Sequence, residues 1–172
     1  MNYGDIRPID VANGPGVRVS LFVSGCTHGC PGCFNPETWD FSYGKPFGPE
    51  QEKEILALLD KPYIRGLSLL GGEPFHPDNQ ETVLHLVQAV REALPKKDIW
   101  CYTGYRYEQI VAGEVGRFGR QLLQMLDVLV DGPFVQEKKN LSLRFRGSEN
   151  QRLIYVPPTL EQGQVILWDE VE

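Results

Sequence analysis

The stretch Val17-Arg-Val-Ser-Leu-Phe-Val-Ser-Gly-Cys-Thr-His-Gly-Cys-Pro-Gly-Cys33 decides how this chain is read. Its first seven residues are rich in β-branched and aromatic side chains. They enter from the turn Asn13-Gly-Pro-Gly16 and leave into a cysteine loop at Gly25, the pattern of a core strand. Cys26, Cys30 and Cys33 follow at offsets of four and three, and Gly29, Pro31 and Gly32 exclude a regular helix there. A loop must therefore carry the three thiols.

Working outward, strands alternate with helices. Pro49 suits a first helical turn, and the apolar positions Ile55, Leu56, Leu58 and Leu59 lead to Pro62. A second strand is expected over residues 66–70, closed by Gly71-Gly-Glu-Pro74. Val83, Leu84, Leu86, Val87, Val90 and Ala93 follow helical spacing over residues 80–94, and Pro95 marks the stop. Further strands are expected over residues 99–103, 128–131, 153–156 and 165–167, with weaker helical regions over 107–112 and 120–126. The class is α/β, with five or six strands in one domain spanning residues 1–172. A full eight-stranded barrel takes about 250 residues, so this length suits an open, partial barrel.

The 172 residues are 41% hydrophobic and 23% charged, a globular composition. The 23 acidic and 17 basic residues give a formal charge of −6, which repels a phosphate backbone and disfavours nucleic acid as a partner. No apolar run approaches the ~18 residues that span a bilayer. Residues 1–10 have neither a basic region nor an apolar core of the secretory kind, so the expectation is a cytoplasmic protein with no membrane partner. In that compartment three cysteines within eight residues favour metal chemistry over disulfides.

Two metal readings stand. Three cysteines on a four-iron cluster leave one iron without a protein ligand, and chemistry at a metal requires such an open position. Alternatively, a structural zinc site in a non-catalytic binding module would take its fourth ligand from His28 or Cys101.

With Gly71-Gly-Glu-Pro74 after the second strand, the cysteine loop resembles that of the radical S-adenosylmethionine (SAM) family. The resemblance implies an open partial barrel. It also implies a [4Fe-4S] cluster on Cys26, Cys30 and Cys33, with SAM bound at the free iron and split by one electron to methionine and a 5′-deoxyadenosyl radical. Gly71, Gly72 and Glu73 would offer backbone groups to the methionine amine. Many members carry an aromatic residue before the third cysteine. Here Gly32 stands there with Phe34 beyond it, and both are candidates for the adenine. Thr103 and Asp131, at strand ends, are candidates for contact with SAM or a nearby cation; for Asp131 the alternative is a turn-forming Asp-Gly.

Asn13-Gly-Pro-Gly-Val-Arg18, Asn35-Pro-Glu-Thr-Trp39, Asp98-Ile-Trp-Cys-Tyr-Thr-Gly-Tyr105, Val130-Asp-Gly-Pro-Phe134 and Arg144-Phe-Arg-Gly-Ser-Glu-Asn-Gln151 are similar to the branch that activates glycyl-radical enzymes. This likeness implies a protein substrate, the large subunit of anaerobic ribonucleoside-triphosphate reductase, on which a glycine loses a hydrogen. Pyruvate formate-lyase is the alternative substrate. It also implies a low-potential electron donor such as flavodoxin or ferredoxin. Residues 137–152, with five basic and two acidic side chains, are read either as the docking surface or as a solvated loop. Cys101 is expected to be a buried strand cysteine, and His28 a solvent-facing loop residue. His76 and His85 carry no functional signal.

Overall fold

The computed structural model describes residues 1–169. One sheet organises them, in the order β3-β1-β2-β4-β5-β6-β7. Its centre is four parallel strands, β2 (Arg18–Val23), β4 (Gly66–Gly71), β5 (Asp98–Tyr102) and β6 (Val128–Asp131). Antiparallel strands close both sides: β1 (Asn2–Asp10) pairs with β2 and with the two-residue β3 (Lys45–Pro46), and β7 (Arg152–Tyr155) pairs with β6. The described residues thus hold seven strands, where five or six were expected. The extra strands come from the N-terminal side. β1 contains Asp5, Arg7 and Pro8 and is largely exposed, so it lacks the apolar run by which a central parallel strand announces itself.

Four helices lie between strands in chain order, α1 (Pro49–Leu59), α2 (Pro77–Ala93), α3 (Tyr107–Val111) and α4 (Gly119–Gln124), and α5 (Val156–Gln162) follows β7. α2 starts three residues before the apolar periodicity does, because His76 caps it: Nδ1 accepts from the Asp78 N–H at 3.1 Å. α5 replaces the end of the expected strand at 153–156. Pro157 and Pro158 fit a first helical turn, and Gly163 ends the helix at φ +71°. Residues 165–167 form no strand; a single bridge joins Leu167 to Ile154.

Strand alternation divides the side chains between the two faces of the sheet. Val19, Leu21, Val23, Leu67, Leu69, Ile99, Cys101, Leu129 and Ile154 join helix residues such as Ile55, Leu59, Val83, Val87 and Leu122 in the main core. The intervening residues face the other way, where Trp100, Val128 and Val130 form a second cluster with Tyr102, Phe145, Leu153 and Trp168 packed against it. That second face is also where the sheet carries buried polar groups. Arg18 is wholly buried beneath it: Nε donates to Ser68 Oγ at 2.7 Å, Nη1 to Pro15 O at 3.1 Å, and Nη2 to Leu67 O at 3.0 Å and Asp98 Oδ1 at 2.5 Å. Ser68 Oγ donates in turn to Asn13 O at 2.5 Å, while Asn13 Nδ2 and Ser20 Oγ donate to Asp10 Oδ2 at 2.7 and 2.6 Å. A buried guanidinium is tolerable only when its donors are satisfied this fully. The network ties residues 10–15 to the sheet.

Candidate functional site

A cavity of about 490 Å³ opens on the face away from the helices. Cys26, Cys30 and Cys33 line it together with Gly71, Gly72, Glu73 and Thr103, so the cysteine loop after β2 and the ends of β4 and β5 meet at one place. This is the carboxyl edge of the parallel strands, where open α/β sheets take their ligands.

The glycines have a structural reason to be glycines. Gly71 sits at φ +109°, and a Cβ there would lie 2.7 Å from the Val23 backbone. A Cβ on Gly72 would meet Gly25 O at 2.6 Å and Thr38 O at 2.8 Å. The backbone of the cysteine loop therefore runs against the Gly71-Gly72 turn, joined by Gly72 N–H to Val23 O at 2.8 Å and Glu73 N–H to Gly25 O at 2.7 Å. The Glu73 carbonyl is also engaged, accepting from His76 N–H at 3.1 Å and Asn79 Nδ2 at 3.0 Å.

The Glu73 side chain is buried and receives four contacts. Oε1 faces His28 Nε2 at 2.6 Å and accepts from Gly104 N–H at 2.7 Å; Oε2 accepts from Phe75 N–H at 2.9 Å and Thr103 Oγ1 at 2.7 Å. In place of the solvent-facing loop position expected for it, the His28 side chain is only 17% exposed and its ring meets that of Tyr105 edge to face, centroids 4.5 Å apart. The partners are 45 positions apart, so no local spacing could have indicated the pair.

The other expected site residues divide. Phe34 stands on the cavity rim, packed on Phe134 with centroids 5.1 Å apart. Gly32 does not line the cavity; it holds φ +75° in the cysteine loop, facing the side chain of Gln136. Asp131 is likewise absent from the wall. Its carboxylate is buried against Arg152, which donates from Nε at 3.0 Å and Nη2 at 2.5 Å, and it accepts from Tyr107 N–H at 2.8 Å. Cys101 is fully buried in the helix-side core, outside the cavity. Residues 137–152 are neither a free loop nor wholly a surface. Phe145, Arg146, Gly147 and Gln151 form part of the cavity wall, while Lys138, Lys139 and Arg144 remain exposed. Phe145 takes φ +64°, a strained setting for a bulky residue, as its ring packs on Trp100 at 5.4 Å.

The donor chemistry fits an iron-sulfur cluster. The three thiols are free, half-buried and on one cavity, and Asn35 N–H already donates to Cys33 Sγ at 3.4 Å, a contact that tunes cluster sulfurs. Burial pushes the Cys26 thiol up to about 11 against a hydrogen bond from the His28 backbone, and Glu73 and the other two thiols push the same way. Burial raises Cys30 as well. A cationic group would therefore displace protons as it binds and relieve the crowding of negative charge. Among the described residues no three His, Cys, Asp or Glu side chains already converge as a finished metal site, so a cluster bound here would have to gather its thiolates. The two candidates for a fourth, zinc-completing ligand are elsewhere engaged: Cys101 in the core, His28 on Glu73.

A family model described as a 4Fe-4S single cluster domain matches residues 12–154. The anaerobic ribonucleoside-triphosphate reductase-activating protein of Escherichia coli K12 is 46% identical over 153 residues, covering 88% of this chain and 96% of that protein. The protein of the same name from Vibrio cholerae is 49% identical over the same shares, and that of Enterobacteria phage T4 is 45% identical over 155 residues, 89% of this chain and 93% of that protein. On these matches the chain belongs to the family of anaerobic ribonucleoside-triphosphate reductase-activating proteins.

Proposed function

We propose that this chain is an enzyme that activates an anaerobic ribonucleoside-triphosphate reductase by generating a glycyl radical on its large subunit. The observation that carries the reading is the meeting of three free thiols with the Gly71-Gly72-Glu73 turn on one cavity, in a chain of this family. When bound, a [4Fe-4S] cluster with one open iron supplies the electron that splits SAM into methionine and a 5′-deoxyadenosyl radical able to take hydrogen from a glycine Cα.

The chain's own residues hold, orient and shield. Cys26, Cys30 and Cys33 would hold the cluster. With the N–H groups of Gly72 and Glu73 and the Glu73 carbonyl spent within the protein, the carbonyls of Gly71 and Gly72 are the groups left to receive the methionine ammonium. Phe34 and Phe134 offer an apolar surface to the adenine at the rim. The wall from residues 141–147 narrows access, which keeps water and stray hydrogen donors from the reacting centre. The sheet, with its cavity on the face opposite the helices, is read as the open partial barrel of a radical SAM domain spanning the whole chain. A flavodoxin or ferredoxin would deliver the electron. No described helix is long and apolar enough to cross a membrane. We read the setting as cytoplasmic, with no nucleic-acid partner, against which the charge of −6 speaks.

The test is anaerobic incubation of the reconstituted chain with SAM, a reductant and the reductase large subunit. The reading predicts an organic radical signal on the reductase that Cys26→Ala abolishes. SAM consumption without that signal, or a radical formed on pyruvate formate-lyase instead, would overturn the choice of partner.

A further inference from the structure

The cysteine loop is held from outside by one cluster of contacts. Beyond Gly72 and Glu73, the turn Thr103-Gly104-Tyr105 after β5 reaches it at two points. The Tyr105 ring packs on the His28 ring, and Gly104 presses so closely on His28 that a Cβ would lie 2.5 Å from the imidazole. Glu73 joins the two, taking His28 on Oε1 together with Gly104 N–H, and Thr103 on Oε2. A carboxylate only accepts, which places the proton on His28 Nε2.

From this geometry we infer that His28 is a positioning residue: through Glu73 and the Thr103-Gly104-Tyr105 turn it latches the cysteine loop in place before iron arrives and holds it around the cluster afterwards. His28 donates none of its nitrogens to the cluster in this role. It acts through the loop backbone that carries Cys26 and Cys30 on either side of it. Outer contacts of this kind orient metal ligands and typically change metal retention about 10- to 100-fold when removed. The inference rests on the reading that Cys26, Cys30 and Cys33 hold the cluster.

Three variants separate the latch from general structure. His28→Ala removes the donor. Gly104→Ala leaves every hydrogen-bonding group in place and displaces the ring by its added Cβ; Gly104 is not in the left-handed region, so alanine is free to adopt its backbone. His28→Gln keeps an N–H donor at about the reach of Nε2. In the metal-free chain, hydrogen exchange at the amides of residues 24–34 is expected to rise about tenfold or more in His28→Ala and Gly104→Ala, and to stay near wild type in His28→Gln. After anaerobic reconstitution, loss of iron to a chelator should follow the same order, with the two alanine variants about tenfold faster. Wild-type exchange and wild-type iron release in His28→Ala would overturn the latch, as would a glutamine variant no better than alanine. A wild-type chain that takes up no iron would instead refute the cluster assignment on which the latch depends.

Discussion

Cys26 and Cys101 carry the same atoms in opposite surroundings. Cys26 lies half-buried on the cavity, and Cys101 is sealed in the helix-side core. Cys26→Ala is expected to abolish iron and sulfide incorporation while leaving the fold intact, as read by metal analysis and circular dichroism. Cys101→Ser should show the reverse: full iron content, with stability lowered by about 1 to 3 kcal/mol in urea titration because a hydroxyl is set among apolar neighbours. Iron loss on the Cys101 change alone would make it a ligand. Gly71→Ala is a third case. Its φ of +109° and the 2.7 Å approach to Val23 predict a loss of about 1 to 3 kcal/mol or more, measured on the metal-free chain. At this scale the cysteines and the glycine turn were legible because their chemistry is local. The pairing of His28 with the Glu73 side chain was not, although Glu73 was named for its backbone, because that contact spans 45 positions.

Among the elements, Asp131 shows why a strand-end carboxylate is ambiguous in sequence. Its position at the end of β6 invited a ligand role, but the antiparallel return of β7 brings Arg152 onto it and the start of α3 adds the Tyr107 N–H. Asp131→Asn should therefore lower stability by about 2 to 4 kcal/mol and leave iron content unchanged; a variant of normal stability with altered SAM binding would return Asp131 to the site. Asp10, at the end of β1, gives a pH signature. Burial works to raise its carboxyl, but hydrogen bonds from Ser20, Ala12 and Asn13 prevail and hold it below the usual 3.8. A depressed carboxylate contributes stability above its unfolded value, and that contribution is lost as pH falls through the folded one. Wild type should exceed Asp10→Asn in thermal stability at neutral pH, and the two should converge below about pH 4. The central strands were legible as apolar runs. β1 and β3 were not, because exposed strands carry charge, proline and little periodicity.

Over the whole molecule, the helices cover one face of the sheet and residues 133–151 fold over part of the other. That segment has turn residues and no period, so its division into cavity wall and exposed basic rim could not be read in advance. Lys138 and Lys139 lie on the exposed side, with Lys139 Nζ 5.4 Å from the Phe34 ring at the rim. Reversing both charges is expected to raise the reductase concentration needed for half-maximal activation several-fold while SAM cleavage without reductase stays unchanged; equal loss of both would refute a docking role. The central claim is that three thiols leave one iron open to SAM. Electron paramagnetic resonance of the anaerobically reconstituted, reduced chain, with and without SAM, tests it most directly. The expected result is a [4Fe-4S] signal that changes on SAM addition. A cluster signal indifferent to SAM, or a silent chain loaded with zinc, would contradict it.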